Sequence, residues 1–283
     1  MNRAERWGQL HDKVAVVTGG SGVLGSEMCR ELAAAGAKVA VLGRDLAKVE
    51  TLSAQLRAAG GTAVGVTCDV VERASLDVAA ARIAETLGPC DILINAAGGN
   101  HPKGITAQEY FELDAQPELA GGFFDLDLEG FKFVFDLNLL GTLLPTQAFA
   151  RQMLGRSGCS VINISSMSAL KPLTKVAAYS ASKAAVTNLT QWLAVHFAHA
   201  LIRVNAIAPG FFLTDQNRTL MLQADGTFTP RASKVIAHTP MRRFGEPREL
   251  LGALLWLCDP SLSGFVTGAV IPIDGGFSAY AGV

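Results

Sequence analysis

The stretch VAVVTGGSGVLG, residues 14–25, decides the fold. Val14–Thr18 is a short apolar run rich in β-branched residues, which reads as a strand buried on both faces. Gly19, Gly20, Ser21 and Gly22 end it. Helical spacing follows from Leu24 to Ala35, and Gly36 stands where a C-terminal cap belongs. A buried strand, a glycine turn and a helix thus follow one another within a few dozen residues.

The same rhythm continues outward. Val39–Leu42, Val64–Cys68 and Ile92–Asn95 read as strands, with helices over Leu46–Ala59 and Ser75–Leu87. Beyond them the spacing predicts a helix over Phe131–Leu154, a strand over Ser160–Ser165 and a long helix over Ala178–Ala198. Strand Arg203–Ala208, helix Pro247–Cys258 and strand Ala269–Ile273 complete the series. Continuously apolar strands alternating with helices predict an α/β fold, a Rossmann-type doubly wound parallel sheet with helices on both faces. No linker, repeat or low-complexity segment interrupts it, so one domain is expected over residues 1–283. Two stretches break the rhythm, residues 99–130 and 215–246. Long irregular segments after strands are expected to cover a site at the carboxyl rim of such a sheet.

Of the 283 residues, 49% are hydrophobic and 17% charged, enough to build a large core. The net charge of −1 gives no basic field to hold a nucleic acid. No run reaches the roughly 18 apolar residues of a membrane span, and the polar Met1–Lys13 lacks the apolar core of a signal peptide. The five cysteines, Cys29, Cys68, Cys90, Cys159 and Cys258, are widely spaced and odd in number. They read as buried small residues in a cytoplasmic chain, not as a disulfide framework or zinc site. His196 and His199 have a spacing a metal can use, but no third ligand lies near in sequence, and no metal is expected. Phe131 and Phe135 read as core packing, Trp192 and Trp256 as core or subunit contact.

Glycines between a first strand and a first helix let backbone N–H groups approach a pyrophosphate, with the positive helix end behind them. Gly19, Ser21, Gly22, Val23, Leu24 and Gly25 are the candidates. An acidic residue after the second strand would bind adenosine ribose hydroxyls; this chain has Gly43-Arg44 instead. Arg44 can pair with a 2′-phosphate, which favours NADP(H). Alternatively it is solvated, and Gly43 merely leaves room for NAD(H). Asp69 ends the third strand, either to accept from an adenine amino group or to cap the next helix; Val70 follows it.

Tyr179-Ser180-Ala181-Ser182-Lys183 places a phenol and an ammonium on one helical face. A phenol titrates near about 10, and a neighbouring ammonium is expected to lower that value. The pair is a candidate acid–base unit. Ser166, ending the strand before it, can reach a substrate oxygen.

With Thr18–Gly25, Asp69, Asn95-Ala96-Ala97-Gly98, Asn138, Ser166, Tyr179/Lys183, Pro209-Gly210 and Asp274-Gly275-Gly276 in this order, the chain resembles the short-chain dehydrogenases/reductases over nearly its whole length. The resemblance implies that Tyr179 exchanges the proton and that Lys183 holds the nicotinamide ribose. It also implies that Ser166 polarises the substrate oxygen and Asn138 anchors a relay water. Asn95, Ala96 and Gly98 would brace the sheet beside the cofactor, and Pro209, Gly210, Phe212 and Thr214 would contact the nicotinamide. A homotetramer built on the long helices is implied as well. One departure concerns the loop, where Val23 replaces the family's glycine and Gly22 stands one place earlier, so the helix start is expected to shift. Residues 99–103, 217–245 and 276–283 look like the D-mannonate oxidoreductase (fructuronate reductase) branch. That likeness implies a sugar-acid substrate, with a 3-oxoacyl thioester or a polyol as the alternative. Asn100, His101, Lys103, Arg218 and Arg231 are candidates to hold its carboxylate and hydroxyls, or are simply exposed loop residues.

Overall fold

The structure is a computed structural model that describes residues 7–111, 121–214 and 218–282. Seven strands form one sheet: β1 Val14–Thr18, β2 Lys38–Gly43, β3 Thr62–Thr67, β4 Ile92–Asn95, β5 Cys159–Ile164, β6 Ile202–Pro209 and β7 Val270–Ile273. Their order is β3-β2-β1-β4-β5-β6-β7, and every pairing is parallel. The helices are α1 Val23–Ala34, α2 Leu46–Ala58, α3 Arg73–Thr86, α4 Leu128–Phe135, α5 Gly141–Ala150, α6 Ala177–His196, α7 Arg218–Met221, α8 Pro230–Ala237, α9 Leu251–Cys258 and α10 Pro260–Ser263.

The sheet is covered on both faces because side chains alternate along each strand. On β1, Ala15 and Val17 pack with Met28, Leu32, Leu254 and Leu257 of α1 and α9. Val14 and Val16 point the other way, toward Leu76, Ile83, Phe149 and Leu193 of α3, α5 and α6. All five cysteines are buried and unpaired.

Four expectations need correction. The predicted helix Phe131–Leu154 starts earlier, at Leu128, because the Asp127 carboxylate accepts from the Gly130 N–H at 2.7 Å and caps the first turn. It is also interrupted by a π-helical turn over Asp136–Leu140. There the Asn138 carbonyl accepts from the Thr142 hydroxyl at 2.8 Å, and Pro145 lies in the next segment without an N–H to donate. Phe131 and Phe135 stack on each other half-buried, while Val134 is the core residue of α4. His199 lies past the end of α6 in a 3₁₀ turn, and the His196 ring stacks on Trp192, whose exposure leaves subunit contact of its two readings.

One chain reversal locates the site. From β1 the chain winds outward to β2 and β3, then returns to lay β4 on the opposite side of β1. Thr18 and Asn95, the last residues of β1 and β4, are register partners. The chain leaving β1 leads to α1 on one face and that leaving β4 leads to α5 on the other, the switch at which such sheets bind ligands in a crevice.

Candidate active site

The first wall of the crevice is the β1–α1 loop. Gly19 takes φ +61°, and a Cβ there would stand 2.8 Å from the Ala97 Cα. At Gly25 a Cβ would stand 2.3 Å from the Gly19 carbonyl oxygen. Only glycines allow α1 and the β4 loop to close this tightly on β1. The Thr18 hydroxyl ties the two loops together by accepting from the Ala96 and Ala97 N–H groups, both at 3.1 Å. Sequence reading assigned Thr18 no such role; its signal is a hydroxyl at the last residue of an otherwise apolar strand.

Helix α1 begins at Val23 with Gly22 as an N-cap that offers no side-chain bond. The N–H groups of Ser21, Val23, Leu24 and Gly25 have no partner among the described residues. That is a fit for a pyrophosphate. Gly22 is the exception among the predicted contacts. Its N–H is spent inside the loop on the Gly19 carbonyl at 2.9 Å, the consequence of the helix beginning at Val23.

Around the rim, Arg44 is exposed after Gly43, and a Cβ at Gly43 would meet the Ser21 hydroxyl at 2.9 Å. Asp69 does not cap α3, whose N-cap is Glu72. Its carboxylate accepts from the Val71 N–H at 3.2 Å and stays half-buried at the rim. Val70 is buried under Gly141, at the start of α5. Asn95 braces the sheet from within: its amide donates to Thr146 on α5 at 3.0 Å and to Asn163 on β5 at 2.8 Å. Asn163 in turn donates to Thr190 on α6 at 2.9 Å. Pro209 ends β6, and Gly210 lies against Asp274, which a Cβ would approach within 2.5 Å. The Phe212 side chain is buried against Gly245 as part of the core. Thr214 is half-buried.

Tyr179, Lys183, Ser166 and Asn138 meet at the end of β5. The Ser166 hydroxyl bonds the Tyr179 phenol. The Lys183 ammonium donates to the Ile164 carbonyl at 2.7 Å and lies 5.8 Å from the centre of the Tyr179 ring. Gly98 leaves room for it, since a Cβ there would come within 3.1 Å of Nζ. The Asn138 amide clamps Gly99, accepting from its N–H at 2.8 Å and donating to its carbonyl at 3.0 Å, and donates again to Ser182 at 2.9 Å. Both amide protons of Asn138 are therefore used. Ser182 was not foreseen; it hands the Asn138 bond on to the Tyr179 carbonyl at 2.8 Å.

The electrostatics differ from the expectation of an acidic phenol. Burial pushes the Tyr179 phenol up, and the Ser166 bond only partly opposes it. Burial pulls the Lys183 ammonium down to about 8. The ammonium is turned to a backbone carbonyl, and the cost of charge in a closed site outweighs its attraction for a phenolate. The sign for stability follows. Between about pH 8 and the ordinary lysine value of about 10.4, the unfolded chain holds a proton that the folded chain has lost, so stability rises with pH there. Lys183→Met deletes that slope. Urea unfolding of both proteins across pH 7 to 10.5 is expected to show the wild type gaining on the variant by up to about 3 kcal/mol. Parallel curves would contradict the depressed ammonium.

The residues proposed for substrate are not gathered into one cluster. Asn100 accepts from the His101 N–H at 2.9 Å. His101 accepts from the Lys103 N–H at 3.2 Å and packs its ring on Phe133 at 5.0 Å. Lys103 is exposed, its ammonium 4.0 Å from the Asp127 carboxylate. Arg218 and Arg231 are exposed on α7 and α8. The two covering segments do touch: Lys234 on α8 donates to both oxygens of Glu109, at 2.9 and 3.1 Å, and holds that carboxyl below its usual range. Lys171 likewise bonds the Tyr280 carbonyl, joining the loop after Ser166 to the C-terminal tail. Two cavities flank the four catalytic candidates. One of about 380 Å³ lies by Phe211, Arg243 and Asp274; the other, of about 450 Å³, lies by Ser168, Lys175 and Ser180. None of the four side chains lines either.

The short chain dehydrogenase family profile matches residues 13–225. An uncharacterized oxidoreductase, UxuB of Bacillus subtilis, is 54% identical over 274 residues, covering 97% of this chain and 98% of its own. A Haemophilus influenza protein, provisionally described as a D-mannonate oxidoreductase and solved with bound NAD, superposes with a TM-score of 0.93. It is 48% identical, with 96% of this chain and 97% of that one covered. A gluconate 5-dehydrogenase from Burkholderia cenocepacia, solved with NADP and tartrate, gives 0.80 at 30% identity, covering 96% and 97%. The open N–H groups at α1, the crevice between β1 and β4 and this likeness along nearly the full length lead to one conclusion: the chain belongs to the short-chain dehydrogenase family, oxidoreductases that act on alcohol or keto groups with NAD(P).

Proposed function

We propose that this chain interconverts a keto sugar acid and its hydroxy acid, with D-fructuronate and D-mannonate as the pair. The observation that carries the substrate is the likeness to the Haemophilus protein, which extends through nearly the whole chain at 48% identity. Among the described residues the covering segments expose Asn100, Lys103, Arg218 and Arg231, groups that can meet a hydroxylated anion, alongside Tyr110, Phe111, Phe123 and Phe124. The open N–H groups of the β1–α1 cradle would hold the pyrophosphate of a nicotinamide cofactor, which would supply hydride chemistry at the carbonyl carbon. Tyr179 donates the proton to the oxygen in reduction and takes it back in oxidation. Ser166 orients that oxygen, Lys183 holds the ribose side of the cofactor and lends positive charge, and Asn138 fixes the Gly98–Gly99 backbone beside them. The test is turnover of D-fructuronate beside gluconate-derived ketones, polyol-derived ketones and 3-oxoacyl thioesters, each with NADH and NADPH. No rate with D-fructuronate overturns the substrate and leaves the reaction class standing.

We infer that Arg44 favours NADP(H), because its guanidinium is exposed at the rim and has no partner among the described residues. The Haemophilus relative carries NAD, so the inference needs its own measurement. Arg44→Ala is expected to weaken NADPH at least about tenfold and NADH by less than about twofold. Equal losses for both would remove the phosphate-pairing argument.

We also propose a homotetramer joined through α4–α6. Leu140, Trp192 and Val195 expose apolar surface there. Light scattering reads the assembly directly. Five buried, unpaired thiols suit a reducing cytoplasm, and no described helix is long and apolar enough to cross a membrane.

A further inference from the structure

The Ser165 hydroxyl is buried one residue before Ser166, and none of the chemistry above uses it. It donates to the Lys183 backbone carbonyl at 3.2 Å and lies 2.7 Å from the Thr187 hydroxyl. A hydroxyl has one proton to give. The Lys183 carbonyl can only accept, so the arrangement that satisfies both contacts has Ser165 donating to the carbonyl and Thr187 donating to Ser165. The bonds run in one direction, from Thr187 to Ser165 to the carbonyl of the residue one turn earlier on α6. Ser165 is itself anchored, its N–H donating to the Ile207 carbonyl on β6 at 2.8 Å. Its neighbour Ile164 accepts the Lys183 ammonium. The end of β5 therefore grips Lys183 twice, by its backbone through Ser165 and by its side chain through Ile164.

We propose that Ser165, acting with Thr187, is a positioning residue that sets where the Lys183 ammonium stands relative to Tyr179. The inference rests on reading Tyr179 and Lys183 as the acid–base pair. Tyr179 is the titratable group beside Lys183, and it lies on the same helix. The other elements packed there present the Ile164 carbonyl, the Ser165 and Ser166 hydroxyls, the Asn138 amide and Gly98, none of them charged. The position of the ammonium is thus left to hydrogen bonds, and the bond to its backbone is the one that moves with the helix.

The experiment compares Ser165→Ala, Thr187→Val and Thr187→Ser with the wild type. Competitive acetic anhydride labelling of the cofactor-free protein, read by mass spectrometry, reports the apparent pKa of Lys183. In Ser165→Ala and Thr187→Val that value is expected to rise by at least about half a unit, as a loosened ammonium gains water. Turnover at pH 7 should fall about tenfold, with the pH profile moving alongside the labelled value. Thr187→Ser, which keeps the hydroxyl, should restore both. Thr187 is half-buried and Val matches its shape, so this variant carries the test if Ser165→Ala does not fold. Unchanged labelling and an unchanged pH profile in folded Thr187→Val overturn the proposal. If Tyr179→Phe is inactive while that occurs, the positioning role alone fails; if Tyr179→Phe keeps its turnover, the acid–base reading fails and the positioning role with it.

Discussion

Tyr179→Phe is expected to lower turnover at least about a hundredfold while nicotinamide cofactor affinity stays within about twofold. The substitution removes one oxygen and keeps the ring, so the packing of α6 on β5 is retained. What is lost is the proton at the substrate oxygen. The structure sharpens the expectation for pH. Because burial holds the phenol in its protonated form, reduction should be flat across neutral pH. Oxidation needs the phenolate and should rise with pH. Steady-state rates in both directions, with cofactor affinity measured separately by fluorescence, check each part. Turnover near the wild-type level in the variant would falsify the acid–base role of Tyr179.

The second large effect is expected at the cradle. Gly25→Ala places a methyl group where only 2.3 Å separates it from the Gly19 carbonyl oxygen, a backbone atom that cannot swing aside. Helix α1 must move off β1, and the N–H groups of Val23 and Leu24 move with it. The overpacking should cost about 2–4 kcal/mol of stability. Affinity for NAD(P)H should fall at least about thirtyfold, since the donors for the pyrophosphate lose their common focus. Denaturant unfolding and cofactor titration on the same sample separate the two effects. A variant as stable as wild type with full affinity would show that the close approach is not needed.

Sequence reading placed the strands within a residue or two, because an apolar run between turns is a local signal. It missed the π turn at Asn138. Pro145, an interior proline in the predicted helix, was the signal available for it. The misread charge balance at Tyr179 has a different origin. Four-residue spacing on a helix correctly puts a phenol and an ammonium on one face, but it says nothing of what else the ammonium can bond. The Ile164 carbonyl, 19 residues away in sequence, takes it. The substrate candidates illustrate the same limit, since the His101 ring accepts from a backbone N–H in its own turn and the Lys103 ammonium faces Asp127 at the start of α4.

Residues 14–25, the alternation of buried strands and helices, and the Ser166, Tyr179 and Lys183 pattern determined by themselves the fold class, the place of the crevice and the candidates for the reacting groups. These follow from periodicity and from glycine stereochemistry, which act over a few residues. Only the tertiary structure decided which hydrogen bonds those groups make and which charges burial suppresses. The Asn95–Asn163–Thr190 chain, the Asn138 clamp on Gly99 and the double grip on Lys183 join residues up to 68 apart in sequence. Such pairings carry no periodic trace, because desolvation and partner choice depend on what the whole fold brings within about 3 Å.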